Sequence, residues 1–515
     1  MNKTETDINK SYSVNNEITI LAKGAGVSMA GKLGGRALLL LTQILLARLL
    51  GPTGFGLFAL GQIVFQLGSQ MGGLGLVSGM IRLGVPALQK GPEQLSKFFR
   101  HLFLIALLSG LAFGIAMMIL APWLALDIFK RVELTNVLRG FGLACTLLIW
   151  LNVTSAATRL TRDMRYSTVT QDMMPFAVNL ILVVLFVYAL HLSVGGAIAA
   201  LIGGYAISFS MSLLFMRKLY PQIALMGSIE FPLLSNILSF SVPNMFTGIL
   251  NLWLQNVTVL FLGFFSQPKE VGVFQAAEQI SMFSAILLLA FSMVFSPQVS
   301  ALYENREMDK LKELYIVSTK WGLYASIPLL IVIVFFPAQV MAVIFGDSYR
   351  NGASLLVILV LAQLINTATG SVAALLSMTG KQKLLLLRTI MAFALCIGLN
   401  LWLTPPLGML GAAISLAVSI SILNLLMLWD VRRLLGLWPY DRRYYKMGIA
   451  LLVTGCVLFG ANQLAPVPFL WKLMVYALLS VGVFGAALLA LRLEAYEKAV
   501  LKKALRKFLT GSPIE

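Results

Sequence analysis

Long apolar runs separated by short polar breaks fill almost the whole chain. They lie at 25–50, 54–81, 101–125, 135–158, 169–191, 194–216, 233–264, 270–302, 315–345, 351–379, 384–404, 408–430, 446–464 and 470–492. A helix rises ~1.5 Å per residue and bilayer hydrocarbon is ~30 Å thick, so each run can cross it or nearly so. The pattern predicts fourteen membrane-spanning helices. Inside the first run Lys32 and Arg36 stand four apart, on one face with Ser28 and Gln43, while Leu, Ala, Gly and Ile fill the other faces. A mid-span charge costs roughly 2.5–3.5 kcal/mol on insertion scales, so two on one stripe require a wet or paired environment. The run closes on Ala47-Arg48-Leu49-Leu50-Gly51-Pro52. Gly51-Pro52 stops one helix, and Gly56 opens the next with almost no loop.

Further polar stripes follow helical spacing. Span 2 carries Gln62, Gln66 and Ser69; span 7 carries Asn244, Thr247, Asn251, Gln255 and Thr258. Span 8 carries Gln275, Glu278 and Gln279, and span 10 carries Gln363, Asn366 and Thr367. Any one stripe is explained by hydrogen bonds between helices, worth about 0.6 kcal/mol each. Four stripes together with a cationic pair favour a polar central cavity.

The chain also repeats. Residues 196–219 align without a gap onto 411–434, setting Gly196-Ala197 on Gly411-Ala412 and Arg217 on Arg432. At nearly the same offset Gly56-Leu57-Phe58 falls on Gly272-Val273-Phe274, and Gln62 on Glu278. A six-span unit has been duplicated in tandem, and an even number of spans inserts both copies the same way up. The expected fold is all-α: a polytopic membrane protein of two six-helix lobes about a pseudo-two-fold axis along the membrane normal, with two additional C-terminal helices. The expected boundaries are a cytoplasmic tail 1–24, an N-lobe 25–216, a cytoplasmic linker 217–232, a C-lobe 233–430, spans 13 and 14 within 446–492 and a basic cytoplasmic tail 493–515.

Composition agrees with this reading: 59% of residues are hydrophobic and 12% charged. The net charge of +18 does not indicate nucleic acid, because the basic residues are spread through short loops. One set of loops carries Arg82, Lys90, Lys97 and Arg100; Arg159, Arg162 and Arg165; Arg217 and Lys218; Arg306, Lys310 and Lys312; Lys381 and Lys383; Arg432, Arg433, Arg442 and Arg443. The alternate set carries only Lys130, Arg131, Lys269 and Arg350. The positive-inside rule then puts both termini in the cytoplasm, with 126–134 and 346–351 outside. The run from Lys498 to Lys507 reads as a basic surface helix on anionic lipid. The first ~20 residues are polar and show no cleavable signal pattern.

Chemistry other than transport finds little support. His101 and His191 are isolated, and Cys145, Cys396 and Cys456 read as lone core thiols, so no metal site or disulfide framework is expected. No P-loop, nucleotide fingerprint or nucleophile constellation is seen, and no enzyme activity is expected. Arg48, Lys320, Arg388 and Arg139 lie near span ends, where snorkelling is cheap. Trp253 and Trp321 read as interfacial or packing aromatics before sugar-stacking ones.

Leu46-Ala47-Arg48-Leu49-Leu50-Gly51-Pro52 through Gly56-Leu57-Phe58 resembles the amino-terminal signature of the polysaccharide transporter family, within the multidrug/oligosaccharidyl-lipid/polysaccharide (MOP) exporter superfamily. Arg162 to Arg165-Tyr166 resembles its basic stretch before span 5, Gly380-Lys381 its turn before span 11, and Asn400, Pro405, Gly408 and Gly411-Ala412-Ala413 its span 11–12 junction. The resemblance covers about residues 20–435. It implies two lobes working by alternating access as a flippase. The cargo would be an undecaprenyl-diphosphate-linked oligosaccharide, crossing the bacterial cytoplasmic (inner) membrane for O-antigen, capsule or exopolysaccharide synthesis. Implied partners are that lipid, the bilayer and polysaccharide polymerase or assembly proteins. Lys32, Arg36, Gln43, Gln62, Gln66, Asn244, Asn251 and Gln255 are the candidate diphosphate and sugar contacts. Glu278, read as the only carboxylate deep in the second lobe, is the candidate coupling group or counter-charge. No cofactor is implied beyond H+ or Na+ as coupling ion, and span 7 lacks the clear acidic cation site that sodium coupling would use. The rival readings are a multidrug/cation antiporter of the same superfamily, a membrane-embedded polymerase or glycosyltransferase, and a non-transporting scaffold. The cationic stripe opposes the first, the short outer loops the second and the intramembrane charges the third.

Overall fold

The computed structural model describes residues 2–161, 163–223, 227–441, 444–464 and 469–490, and every regular element among them is a helix. Ten helices among the described residues are long and apolar enough to cross a bilayer. The chain is a multi-pass membrane protein. The first of the ten, Gly26–Gln89, holds 64 residues. At 1.5 Å per residue that is roughly 95 Å, enough for two crossings. The length criterion thus gives ten where the apolar runs suggest fourteen. The basic tail 493–515, Arg162, Arg442 and Arg443 lie outside the described residues.

The chain divides into two compact units, Met1–Ala276 and Ala277–Glu515. The first contains α1 (Asn2–Gly72), α2 (Leu76–Gln89), α3 (Pro92–Trp123), α4 (Leu134–Thr158), α5 (Met164–Ser167), α6 (Met174–Val183), α7 (Val194–Leu219) and α8 (Phe231–Phe265). It ends inside α9 (Pro268–Glu304). The helix α1 is broken at Gly51 (φ 66°, ψ 177°), a left-handed conformation that a side chain resists. Pro52 then opens the second arm, where its missing N–H costs nothing. Leu46, Phe55, Phe58 and Leu60 are buried around the break. This is the helix–break–helix that Gly51-Pro52 predicts.

Elsewhere in this unit Phe99, Leu102, Val153 and Ala157 form a core against α2 and α8. The Tyr220 hydroxyl donates to the Ala157 carbonyl at 3.0 Å while its ring meets Phe99 edge-on. His101 is fully buried. Its Nδ1 donates to the Lys97 carbonyl at 2.7 Å and its Nε2 accepts the Glu230 backbone N–H at 2.6 Å, so a neutral ring ties α3 to the chain entering α8. Loops assigned by charge to the same side meet: Arg100 donates to Ser228 O at 3.0 Å, and Arg131 to Ser266 O at 3.3 Å.

The two signature glycines also meet. A Cβ built on Gly56 would lie 2.9 Å from Gly272 N and collide with the Pro268 carbonyl oxygen. A Cβ on Gly272 would lie 3.0 Å from Gly56 N and collide with the Pro52 carbonyl oxygen. The contact is reciprocal between positions that the repeat makes equivalent.

The second unit contains α10 (Met308–Phe335), α11 (Pro337–Phe345), α12 (Ala353–Thr369), α13 (Val372–Met378), α14 (Gln382–Leu407), α15 (Met409–Leu435), α16 (Tyr444–Leu464) and α17 (Phe469–Ala490). The start of α15 at Met409 and of α7 at Val194 keep the offset of the sequence repeat. Gly411 abuts the Leu403 carbonyl, Gly408 takes φ 55° and the Thr404 hydroxyl donates to Asn400 Oδ1 at 3.0 Å, which explains the residues of the span 11–12 junction. One core packs Phe295, Tyr315, Leu375 and Val431; a second packs Ile327 of α10 and Phe336, the residue that follows α10, on Tyr476 and Phe484 of α17.

Snorkelling does not describe two of the span-end cations. Lys320 is 2% exposed, and Arg388 grips Asp430 with two bonds of 2.7 and 2.9 Å. Asp430 is therefore a second deeply buried carboxylate in addition to Glu278, not foreseen from the sequence. Cys145 and Cys396 are buried as expected, whereas Cys456 is exposed.

Candidate functional site

Gly31 and Gly35 decide where the cationic stripe goes. A side chain on Gly31 would strike Thr168 Cγ2, and one on Gly35 would strike the Asp172 carbonyl oxygen. With no side chains there, α1 lies directly on Thr168–Met173, a π-helical turn between α5 and α6. Pro175 follows that turn and has no N–H to give the Gln171 carbonyl, which loosens the ladder where the turn widens. Small residues four apart are the usual device for such close helix approach.

The approach sets the turn of α1 that carries Lys32 against the turn that carries Asp172. Lys32 and Arg159 lie within electrostatic reach of the half-buried Asp172 carboxylate, short of a direct ion pair with it. Arg159 also donates to Gln171 Oε1, and Gln171 Nε2 donates to Asn152 Oδ1 at 2.9 Å. Ser155 and Thr170 share a hydrogen bond of 3.1 Å just beneath. Arg36, one turn beyond Lys32, is exposed. The result is a polar cluster of cations, one carboxylate and two amides in the first unit. Asp172, Gln171 and Asn152 were not singled out from the sequence. A lone acid in the apolar run 169–191 was the available signal.

Other predicted residues separate from this cluster. Gln43 is 6% exposed, and its Nε2 donates to Gln62 Oε1 at 3.2 Å, joining the two arms of α1. Gln66 is half-buried, and Gln70, one turn on, lies against the backbone of Gly248 in α8. Asn244 is exposed and spends its amide on the Phe240 carbonyl of its own helix at 2.9 Å. The side chains of Asn251, Gln255 and Thr247 lie outside the described ones. Glu278 is 6% exposed within α9, in the second unit. In span 10 the Asn366 amide donates to Gln363 Oε1 at 3.0 Å and the Thr367 hydroxyl to Gln363 O at 2.9 Å, so part of that stripe is internally satisfied. A separate apolar groove of about 540 Å³ in the second unit is lined by Leu330, Val334, Phe335, Leu452, Cys456 and Phe459.

A family model described as "Polysaccharide biosynthesis protein" matches residues 45–354. The chain belongs to the polysaccharide biosynthesis protein family. This agrees with the resemblance carried by Leu46 to Phe58. A relative, the probable low-salt glycan biosynthesis flippase Agl15 of Haloferax volcanii, is 22% identical over 284 residues, 55% of this chain and 58% of Agl15. The chain thus matches somewhat more than half the length of that relative. Among solved structures the fold is similar to the lipid II flippase MurJ in its inward closed conformation, with a TM-score of 0.71 at 14% identity over 89% of this chain and 97% of MurJ. It is also similar to an inward-facing MATE multidrug resistance transporter of the MOP superfamily, with a TM-score of 0.59 at 18% identity over 80% and 98% of the two chains. The family member described here therefore has the MurJ- and MATE-like helical fold.

Proposed function

We propose that this chain is a flippase that moves an undecaprenyl-diphosphate-linked oligosaccharide across the bacterial cytoplasmic membrane by alternating access. The observation that carries the reading is the fixed cationic stripe of Lys32 and Arg36 inside a spanning helix, exposed beside a polar cluster. A diphosphate and a sugar block cannot enter ~30 Å of hydrocarbon unaided, and fixed cations replace part of the hydration that the phosphates lose. Arg36 can engage phosphate oxygens bidentately, while Lys32 acts as a point charge. The apolar groove beside Cys456 suits an isoprenoid chain, which needs shape and no polar partner. Membership of a polysaccharide biosynthesis family and the likeness to two flippases support the same direction.

The test is Arg36→Ala, with Lys32→Ala beside it, measured for membrane abundance and for display of surface polysaccharide in cells that depend on this chain. Normal abundance with lost export is expected, and Arg36→Lys should recover only part of the activity. A stable double variant with unimpaired export overturns the reading. A carboxylate beside the stripe and the MATE-like fold favour an antiporter as second reading, which predicts that the same cells lose resistance to cationic drugs while polysaccharide display stays intact.

A further inference from the structure

Lys32 and Arg159 come from different elements of the first unit, yet both lie within electrostatic reach of Asp172. The backbone fixes the arrangement. Gly35 lies at the Asp172 carbonyl itself and Gly31 on Thr168, so Lys32 keeps its place as long as α1 keeps its contact with the π-helical turn. On the opposite side Arg159 is held by Gln171, which is held by Asn152. Arg36 stands one turn from Lys32 on the same face. Lys32, Arg36 and Arg159 against Asp172 leave an excess of two positive charges. A diphosphate esterified at both ends carries two negative ones, so bound cargo and cluster together come to neutrality.

Cations left bare in a membrane interior are costly, and a site that binds its anion too tightly does not release it. We infer that Asp172 is an internal counter-ion: it holds the cations of the empty site and yields them to the diphosphate of the arriving lipid, keeping affinity low enough for release on the far side. The inference rests on the flippase reading and names the residue that sets its affinity. Asp172 acts through Lys32 and Arg159 and does not itself bind cargo.

The test uses purified full-length protein in detergent, farnesyl diphosphate as probe and fixed salt. If the carboxylate occupies the cations most of the time, its removal raises the fraction of competent sites. Asp172→Asn and Asp172→Ser should then bind the probe roughly three- to tenfold more tightly. Asp172→Glu should bind like the parent, and Lys32→Ala added to Asp172→Asn should abolish the gain. In cells the neutral variants should export more slowly despite tighter binding. Either neutral variant at parental melting temperature with equal or weaker affinity overturns the inference. So does neutral-variant protein that is merely scarce but binds and exports normally per molecule, because Asp172 would then serve insertion alone. If Lys32→Ala weakens binding while Asp172→Asn leaves it unchanged, only the counter-ion fails. If the parent binds no farnesyl diphosphate and Lys32→Ala and Arg36→Ala export normally, the flippase reading fails, and the counter-ion with it.

Discussion

Gln43 and Gln62 face each other across the break in α1, amide to amide at 3.2 Å, with Gln43 almost fully buried. Replacing either one strands the other, and an unpaired buried amide costs about 1–3 kcal/mol, whereas removing both can be nearly neutral. Gln43→Leu alone should lower the melting temperature in detergent, and Gln43→Leu with Gln62→Leu should restore most of it. Full export by the stable double variant would assign both residues to packing; its loss would keep them among the cargo contacts.

The glycine crossing sets a second expectation. Alanine at Gly56 or Gly272 collides with a backbone carbonyl, which cannot turn aside as a side chain can. Overpacking of this kind costs typically 1–3 kcal/mol. Each variant should melt lower than the parent. Gly398→Ala, where nothing stands within 4 Å, should be neutral or slightly stabilising because alanine suits a helix interior. Equal melting of all three variants would contradict the crossing.

Arg388 and Asp430 form a largely enclosed ion pair, with side chains 17% and 4% exposed. Losing one partner of a buried pair costs about 3–5 kcal/mol, while an apolar pair of similar volume can match the original. Asp430→Asn and Arg388→Met should each reduce folded protein sharply. Arg388→Met combined with Asp430→Leu should recover a large part, as read by monodisperse yield after extraction.

Asp163 lies between α4 and α5, where its side chain caps α5 by accepting the Arg165 N–H at 3.0 Å and also pairs with the Arg165 guanidinium. Those bonds, the guanidinium's first, hold its carboxyl below the ordinary value. A carboxyl lowered on folding stabilises the fold above its unfolded pKa, near 4, and loses that contribution as pH falls through its folded pKa. Melting curves from pH 6 down to 3 should fall less steeply for Asp163→Asn than for the parent. Arg165 is largely exposed, so the difference should be small.

Cys456 offers a native reporter for the apolar groove. A membrane-soluble maleimide should label it, and farnesol at saturating concentration should slow that labelling at least severalfold if the groove accepts isoprenoid chains. Labelling at an unchanged rate would remove the groove from the lipid path.

The sequence was most legible where one residue type has one physical use. Gly51-Pro52 can only break a helix, and the break is there; Gly56 and Gly272 announce the repeat, and they meet. Helical spacing showed which face of α1 is polar but not what faces it. It grouped Gln43 with Lys32 and Arg36, yet Gln43 is buried against Gln62 while Lys32 and Arg36 are exposed. Asp172 escaped notice because its meaning depends on a π-helical turn and on two glycines more than a hundred residues earlier, a tertiary fact that no local pattern carries. Position near a span end misled for Lys320 and Arg388, since depth along a helix does not tell whether its flank faces lipid or protein.

The reciprocal contact of Pro52 and Gly56 with Gly272 and Pro268 has the form of an isologous interface, in which the same patch meets its own copy about a two-fold axis. That is how two identical molecules dimerise, and here the two copies of the repeat meet in the same way within one chain. A single chain lifts a constraint. In a homodimer every charge on the first helix appears twice, whereas here α1 keeps Lys32 and Arg36 and its repeat-related counterpart, α8, has no ionisable residue at all. The cationic stripe therefore stands in one copy of the repeat without a repelling twin in the other.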